Sequence, residues 1–150
     1  MTGFLLLKWI HVLAAIIAVG SNATYAVWSR RGSSEPEHLG FVLRGIKFLD
    51  DRVANPAYGL LLVTGLIMAF TTYTISTPWI LTGLGIYIVM AGVAAAVYSP
   101  TLKRQIAALG SQGQASETYI GLAARAQAVG IFLGVLAVFA VFVMVVKPSW

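Results

Sequence analysis

The chain has no cysteine, which excludes disulfides, thiolate metal ligands and thiol redox chemistry. It is also poor in charge: Asp, Glu, Lys and Arg make up 10% of it, against roughly 25% in a soluble domain. The acidic residues Glu35, Glu37, Asp50, Asp51 and Glu117 all fall outside the long apolar runs, so a carboxylate-based proton or cation pathway is not expected. No phosphate-binding loop, no His-Glu-x-x-His run and no Ser/His/Asp set at matching depths is present, so no catalytic residue is assigned.

What the chain has is apolar length. Hydrophobic residues make up 59% of it and the mean hydropathy is +0.85. Four apolar segments, 4–28, 57–73, 79–98 and 126–146, are each near the ~20 residues a helix needs to cross the hydrocarbon core. In lipid every backbone polar group must be paired within the structure, and runs without strict alternation exclude a barrel. The expectation is an all-α polytopic membrane protein, a four-helix transmembrane bundle forming a single domain over residues 1–150. The first segment is too long for a secretory signal, contains Lys8 and His11, and has no basic region before it, so it reads as a retained helix.

The net charge of +5 does not point to nucleic acid, because the basic residues flank the apolar segments. Arg30, Arg31, Arg44, Lys47, Arg52, Lys103, Arg104 and Arg125, eight of the ten, lie after the first and third segments. The connection between the second and third, Thr71 to Pro78, carries none. The positive-inside rule places the basic connections in the cytoplasm and both termini outside, with Lys8 and Lys147 snorkelling to the outer surface. Two aromatic belts follow: Trp9, Tyr73, Trp79 and Trp150 outside, and Trp28, Tyr58, Tyr98 and Tyr119 inside.

Ser34-Glu35-Pro36-Glu37 has capping-box spacing, and Leu39, Val42, Leu43, Ile46, Leu49 and Val53 follow at helical spacing. This predicts a cytoplasmic amphipathic helix near residues 35–52, lying on the membrane surface. Asp50-Asp51-Arg52 and Asn55-Pro56 read as the turn into the second span, and Pro100 as the end of the third, with Thr101 to Leu109 a candidate short helix beyond it before Gly110. The last helix is expected from about Ser116 to just before Pro148.

His11 is the only histidine in an apolar segment. Such a group ligates metal or haem iron, relays a proton, or hydrogen-bonds a neighbouring helix. Counting ~1.5 Å per residue, His11 lies about 10 Å deep, and Met68, Tyr87 and Met144 fall at about 7, 12 and 5 Å. The two methionines are candidate thioether ligands and Tyr87 a candidate partner of the imidazole. Residues 11 to 28 alone rise about 26 Å, so His38 is out of reach. A second set of polar residues, Asn22, Thr24, Tyr25, Asn55 and Tyr98 with Ser21, lies toward the cytoplasm, as interhelical glue or as a small polar cavity. Small-residue ridges occur at Gly65 and Ala69, at Gly92 and Ala96, and at Ala126, Gly130 and Gly134. They close the bundle internally or face a second copy.

Lys8-Trp9-Ile10-His11-Val12, Asp51-Arg52 to Pro56 before Thr64-Gly65, Pro78-Trp79 and Pro100 give the chain a resemblance to a bacterial family of integral membrane proteins with a domain of unknown function. The same skeleton is more distantly similar to CopD-type copper-resistance proteins and to haem-dependent protoporphyrinogen oxidases. The Lys8-x-x-His11 start, a second helix with Pro56 and then Thr64-Gly65 where that family has a proline and then Thr-x-x-x-Gly, and the ending Val145-Val146-Lys147-Pro148 carry the latter likeness. The third helix here has no lysine or histidine, and of the oxidases' fourth-helix opening only Arg125 has a counterpart. The resemblance implies the bacterial inner membrane and a haem tied to the first-helix histidine, which maps onto His11. Two readings follow, ahead of a third, a carrier for a small neutral or metal solute lined by Asn22 and the inner tyrosines, against which the missing carboxylates in the spans count. The first is a membrane protein binding b-type haem or a porphyrin through His11. The alternative is a non-enzymatic scaffold or accessory subunit, a homodimer or part of a larger membrane complex, packing through its glycine and alanine ridges.

Overall fold

The computed structural model describes residues 2–149, so Trp150 of the outer belt lies outside it. Four helices, Thr2–Ser33, Pro36–Thr71, Pro78–Gln112 and Glu117–Val146, are long and apolar enough to cross a membrane. No strand occurs among the described residues. The helices are 30 to 36 residues long. At ~1.5 Å per residue they measure roughly 45–54 Å, well beyond the ~30 Å hydrocarbon core.

Two π-helical turns subdivide them. α1 is Thr2–Ser33. α2 (Pro36–Leu49) runs through the π turn Asp50–Ala54 into α3 (Asn55–Thr71). α4 (Pro78–Val93) runs through the π turn Ala94–Tyr98 into α5 (Ser99–Gln112), and α6 is Glu117–Val146. The connections 34–35 and 113–116 close one end of the bundle, the hairpin end. The chain termini and the connection 72–77 lie at the other. α1 packs along α2 and α3, α6 along α4 and α5, and the contacts of α1 with α6 and of α2 with α5 join the two hairpins. Gln114 Nε2 donates to the Ser33 carbonyl across the hairpin end, at 3.2 Å.

The continuity of these helices corrects the expected breaks at Asp50–Pro56 and at Pro100. A proline ring clashes with the carbonyl four residues back and offers that carbonyl no N–H. For Pro56 and Pro100 those carbonyls belong to Arg52 and Ala96, and each lies in a π turn. The wider turn opens the hydrogen-bond ladder where the proline would break it, and the helix continues.

The amphipathic stripe forms, but on a helix continuous with α3 and packed into the bundle, not on a separate one. Leu39, Leu43 and Ile46 are buried with Tyr25, Leu102, Ala108 and Tyr119 in a core shared with α1, α5 and α6. Burial of each such aliphatic side chain stabilises by about 1.5–3 kcal/mol. This holds α2 against the bundle, with Leu49 left exposed. The capping box does not form either. The N-cap of α2 is Glu35, with no side-chain cap, and the Ser34 hydroxyl donates to the Arg30 carbonyl. α6 starts as expected, its N-cap Ser116 accepting from the Tyr119 N–H at 3.2 Å.

The inner aromatic belt is likewise corrected. Tyr119 is buried and Tyr58 and Tyr98 pack against the same core, leaving Trp28 exposed. At the terminal end, the Lys147 ammonium lies 5.3 Å from the Tyr73 ring centre and 5.1 Å from that of Trp79. Those two rings meet edge to face. Lys147 therefore closes an aromatic cluster between the end of α6 and the start of α4.

Candidate functional site

His11 sits on α1 facing Thr64 of α3, its Nδ1 2.8 Å from the Thr64 hydroxyl oxygen. That hydroxyl donates its single proton to the Leu60 carbonyl, four residues back, at 2.6 Å. With its proton so placed, Thr64 would accept from the imidazole, which puts the hydrogen on Nδ1; the contact itself fits either tautomer. Local sequence explains the approach. Ala14 and Ala18 on α1 are buried, which lets the backbones come close. Gly65 leaves room for the ring: a Cβ there would lie 3.1 Å from His11 Cε1.

The expected companions of His11 do not gather on it. Tyr87 donates to the Tyr58 carbonyl at 3.1 Å, bridging α4 to α3. Met144 lays its methyl over Gly83, joining α6 to α4. Met68 is buried one turn beyond Thr64 on the same face of α3. Among the described residues no group of three or more His, Asp or Glu side chains could hold a metal ion. One oriented imidazole is the kind of donor that an iron already held by four porphyrin nitrogens takes.

The second polar set is partly assembled. Asn22 donates to the Tyr58 hydroxyl at 2.5 Å. Tyr25 is buried, and Tyr98 packs against the same core. Thr24 and Asn55 do not join them: both are exposed, and the Thr24 hydroxyl donates to the Ser21 carbonyl of its own helix. Two members were missed from sequence, Tyr58 and Asp50. Asp50 is buried, in the π turn that packs against α1 and α3. The signal was the stripe itself: Leu39, Leu43 and Ile46 continue at helical spacing through Asp50 to Ala54.

The small-residue ridges divide. Gly65 receives His11, Ala69 and Ala126 are buried, and Gly130 meets the Tyr98 ring at 3.7 Å. Gly134 is half-buried, and a Cβ there would meet open space. Gly92 and Ala96 are exposed, so this third ridge does not close the bundle internally.

No curated protein and no solved structure matches the chain. Residues 5–148 match the family described as predicted integral membrane protein (DUF2269), and the chain belongs to that family.

Proposed function

We propose that this integral membrane protein binds a b-type haem or related porphyrin, with Nε2 of His11 as axial ligand. The observation that carries the reading is the relay from His11 Nδ1–H to the Thr64 hydroxyl and on to the Leu60 carbonyl. Such a relay fixes the tautomer and ring plane and raises the basicity of the free nitrogen, as partners of ligating histidines do. The short motifs read from the sequence, Lys8-x-x-His11 first among them, motivate the same ligand. In this reading the basic hairpin end faces the cytoplasm of a bacterial inner membrane and both termini lie outside, on the distribution of basic residues.

The test is titration of the detergent-purified protein with haem, wild type beside His11→Ala. A saturable Soret shift in the wild type, lost in His11→Ala with unchanged helix content, is the expected result. Equal affinity and identical spectra in both would overturn the reading.

One observation favours a second reading, a scaffold or accessory subunit. Gly92 and Ala96 present a small-residue ridge on the outside of the bundle, the surface on which a second transmembrane helix approaches closely. Under that reading Gly92→Ile lowers the mass of the purified assembly, and the haem titration of the wild type is blank.

A further inference from the structure

α1 and the helix that continues into α3 leave a groove of about 410 Å³ between them. Leu13 and Ile17 of α1 form one wall, and Val53, Pro56 and Leu60 the other. Leu13, Ile17 and Leu60 are exposed, so the groove opens on the outside of the bundle. Its volume falls within the roughly 300–1,000 Å³ of small-molecule sites. One polar side chain lines it: Arg52, from the first π turn, at the end of the groove nearer the hairpin end.

Arg52 has no counter-charge within the protein. It is exposed, and the two ion pairs among the described residues are Lys47–Asp51 and Arg31–Glu35. Asp50, two residues earlier and so about half a turn away, is buried on the other side of the helix. α1, the opposite wall, carries no acidic residue. Depth adds a second constraint. α3 ends at Thr71, beside the cluster of Tyr73, Trp79 and Lys147, which has the composition of a membrane interface. Arg52 stands nineteen residues before Thr71, about 28 Å of helix, and the hydrocarbon core is ~30 Å thick. Arg52 is therefore at headgroup level in the leaflet of the hairpin end, and the groove runs from it into the apolar part of that leaflet.

An apolar trough at that depth takes an acyl chain, and a guanidinium takes phosphate oxygens through paired charge-assisted hydrogen bonds. A zwitterionic headgroup brings its own ammonium to its phosphate. An anionic one leaves the phosphate charge for Arg52 to compensate. We propose that this groove binds one anionic phospholipid of the leaflet at the hairpin end, an acyl chain lying between α1 and α3 and the phosphate on Arg52. The site is separate from the His11 contact: His11 turns to Thr64 and does not line the groove.

The experiment is native mass spectrometry of the delipidated full chain in detergent, titrated with dioleoyl phosphatidylglycerol or dioleoyl phosphatidylcholine. Wild type is compared with Arg52→Gln, Ile17→Trp and Arg30→Gln. The expected result is one phosphatidylglycerol retained per chain, saturably, at a several-fold lower concentration than phosphatidylcholine. Arg52→Gln removes that preference, and Arg30→Gln, outside the groove, keeps it. Ile17→Trp fills the groove and weakens retention of both lipids several-fold. Equal retention of the two lipids by the wild type, or a preference that survives Arg52→Gln, overturns the proposal. So does a dimer that forms without lipid and is lost in Ile17→Trp, because the groove then holds a second copy. Should Arg52→Gln fail to fold, Ile17→Trp decides: a several-fold loss of phosphatidylglycerol with unchanged helix content is required, and retention equal to wild type overturns the proposal.

Discussion

The imidazole of His11 and the hydroxyl of Thr64 meet at 2.8 Å with the Thr64 proton turned away, toward the Leu60 carbonyl. With that proton so placed, Thr64 would accept from Nδ1–H and leave Nε2 for a ligand. Thr64→Val keeps the shape but removes the acceptor, leaving Nδ1–H unpaired in a buried setting. We expect a loss of about 1–3 kcal/mol in unfolding free energy, with Thr64→Ser losing less. Equal stability of all three proteins in reversible unfolding would mean that the relay carries no weight.

Two glycines near bulky neighbours should respond oppositely to alanine. At Gly65 the new Cβ would meet His11 Cε1 at 3.1 Å, and the ring is tethered by its hydrogen bond. At Gly83 the approach to the Met144 methyl is closer still, yet that methyl ends a flexible chain at an exposed residue and can swing away. Gly65→Ala is therefore expected to destabilise by about 1–3 kcal/mol, and Gly83→Ala to lie within about 1 kcal/mol of wild type, as volume changes that flexible neighbours absorb do. Melting temperatures of the two variants in the same detergent decide it. The reverse order would contradict the packing described.

Asn22 and Tyr58 join α1 to α3 at the hairpin end. A double-mutant cycle with Asn22→Leu and Tyr58→Phe should give a coupling of about 0.5–2 kcal/mol, the range of interhelical hydrogen bonds in membranes. Additive losses would show that the two side chains do not share a bond.

The absence of native cysteine makes the topology directly testable. Ser33 lies at the end of α1 beside the first hairpin, and Ser76 in the connection opposite. Single Ser33→Cys and Ser76→Cys proteins in intact cells should label from opposite sides with an impermeant maleimide, Ser76→Cys from outside. Labelling of both from one side would contradict four crossings.

The four spans were legible because lipid admits a continuous apolar helix and little else. His11 was legible as the one histidine in an apolar segment. The joints were not. Asp50-Asp51-Arg52, Pro56 and Pro100 look like breakers in one dimension, and only the π turns that absorb the prolines keep the helices whole. The inner tyrosines are amphipathic and equally suited to an interface or a core. The core formed by α2 and α5 drew Tyr58, Tyr98 and Tyr119 inward. Asp50 was hidden by its charged neighbours, although its place on the Leu39–Leu43–Ile46 stripe pointed inward. Asn55 and Thr24 were misplaced because polarity alone does not say which face of a helix a residue occupies.

The most direct test of the account is the protonation of His11 itself. Nitrogen NMR of the histidine-labelled protein in detergent, assigned by comparison with His11→Ala and His38→Ala, reports each ring nitrogen separately. The account predicts a protonated Nδ1 and a bare Nε2 at His11 in the apoprotein, with the Nε2 resonance alone strongly displaced or broadened when haem is added. A protonated Nε2 with a bare Nδ1, or a His11 spectrum untouched by haem, would contradict it.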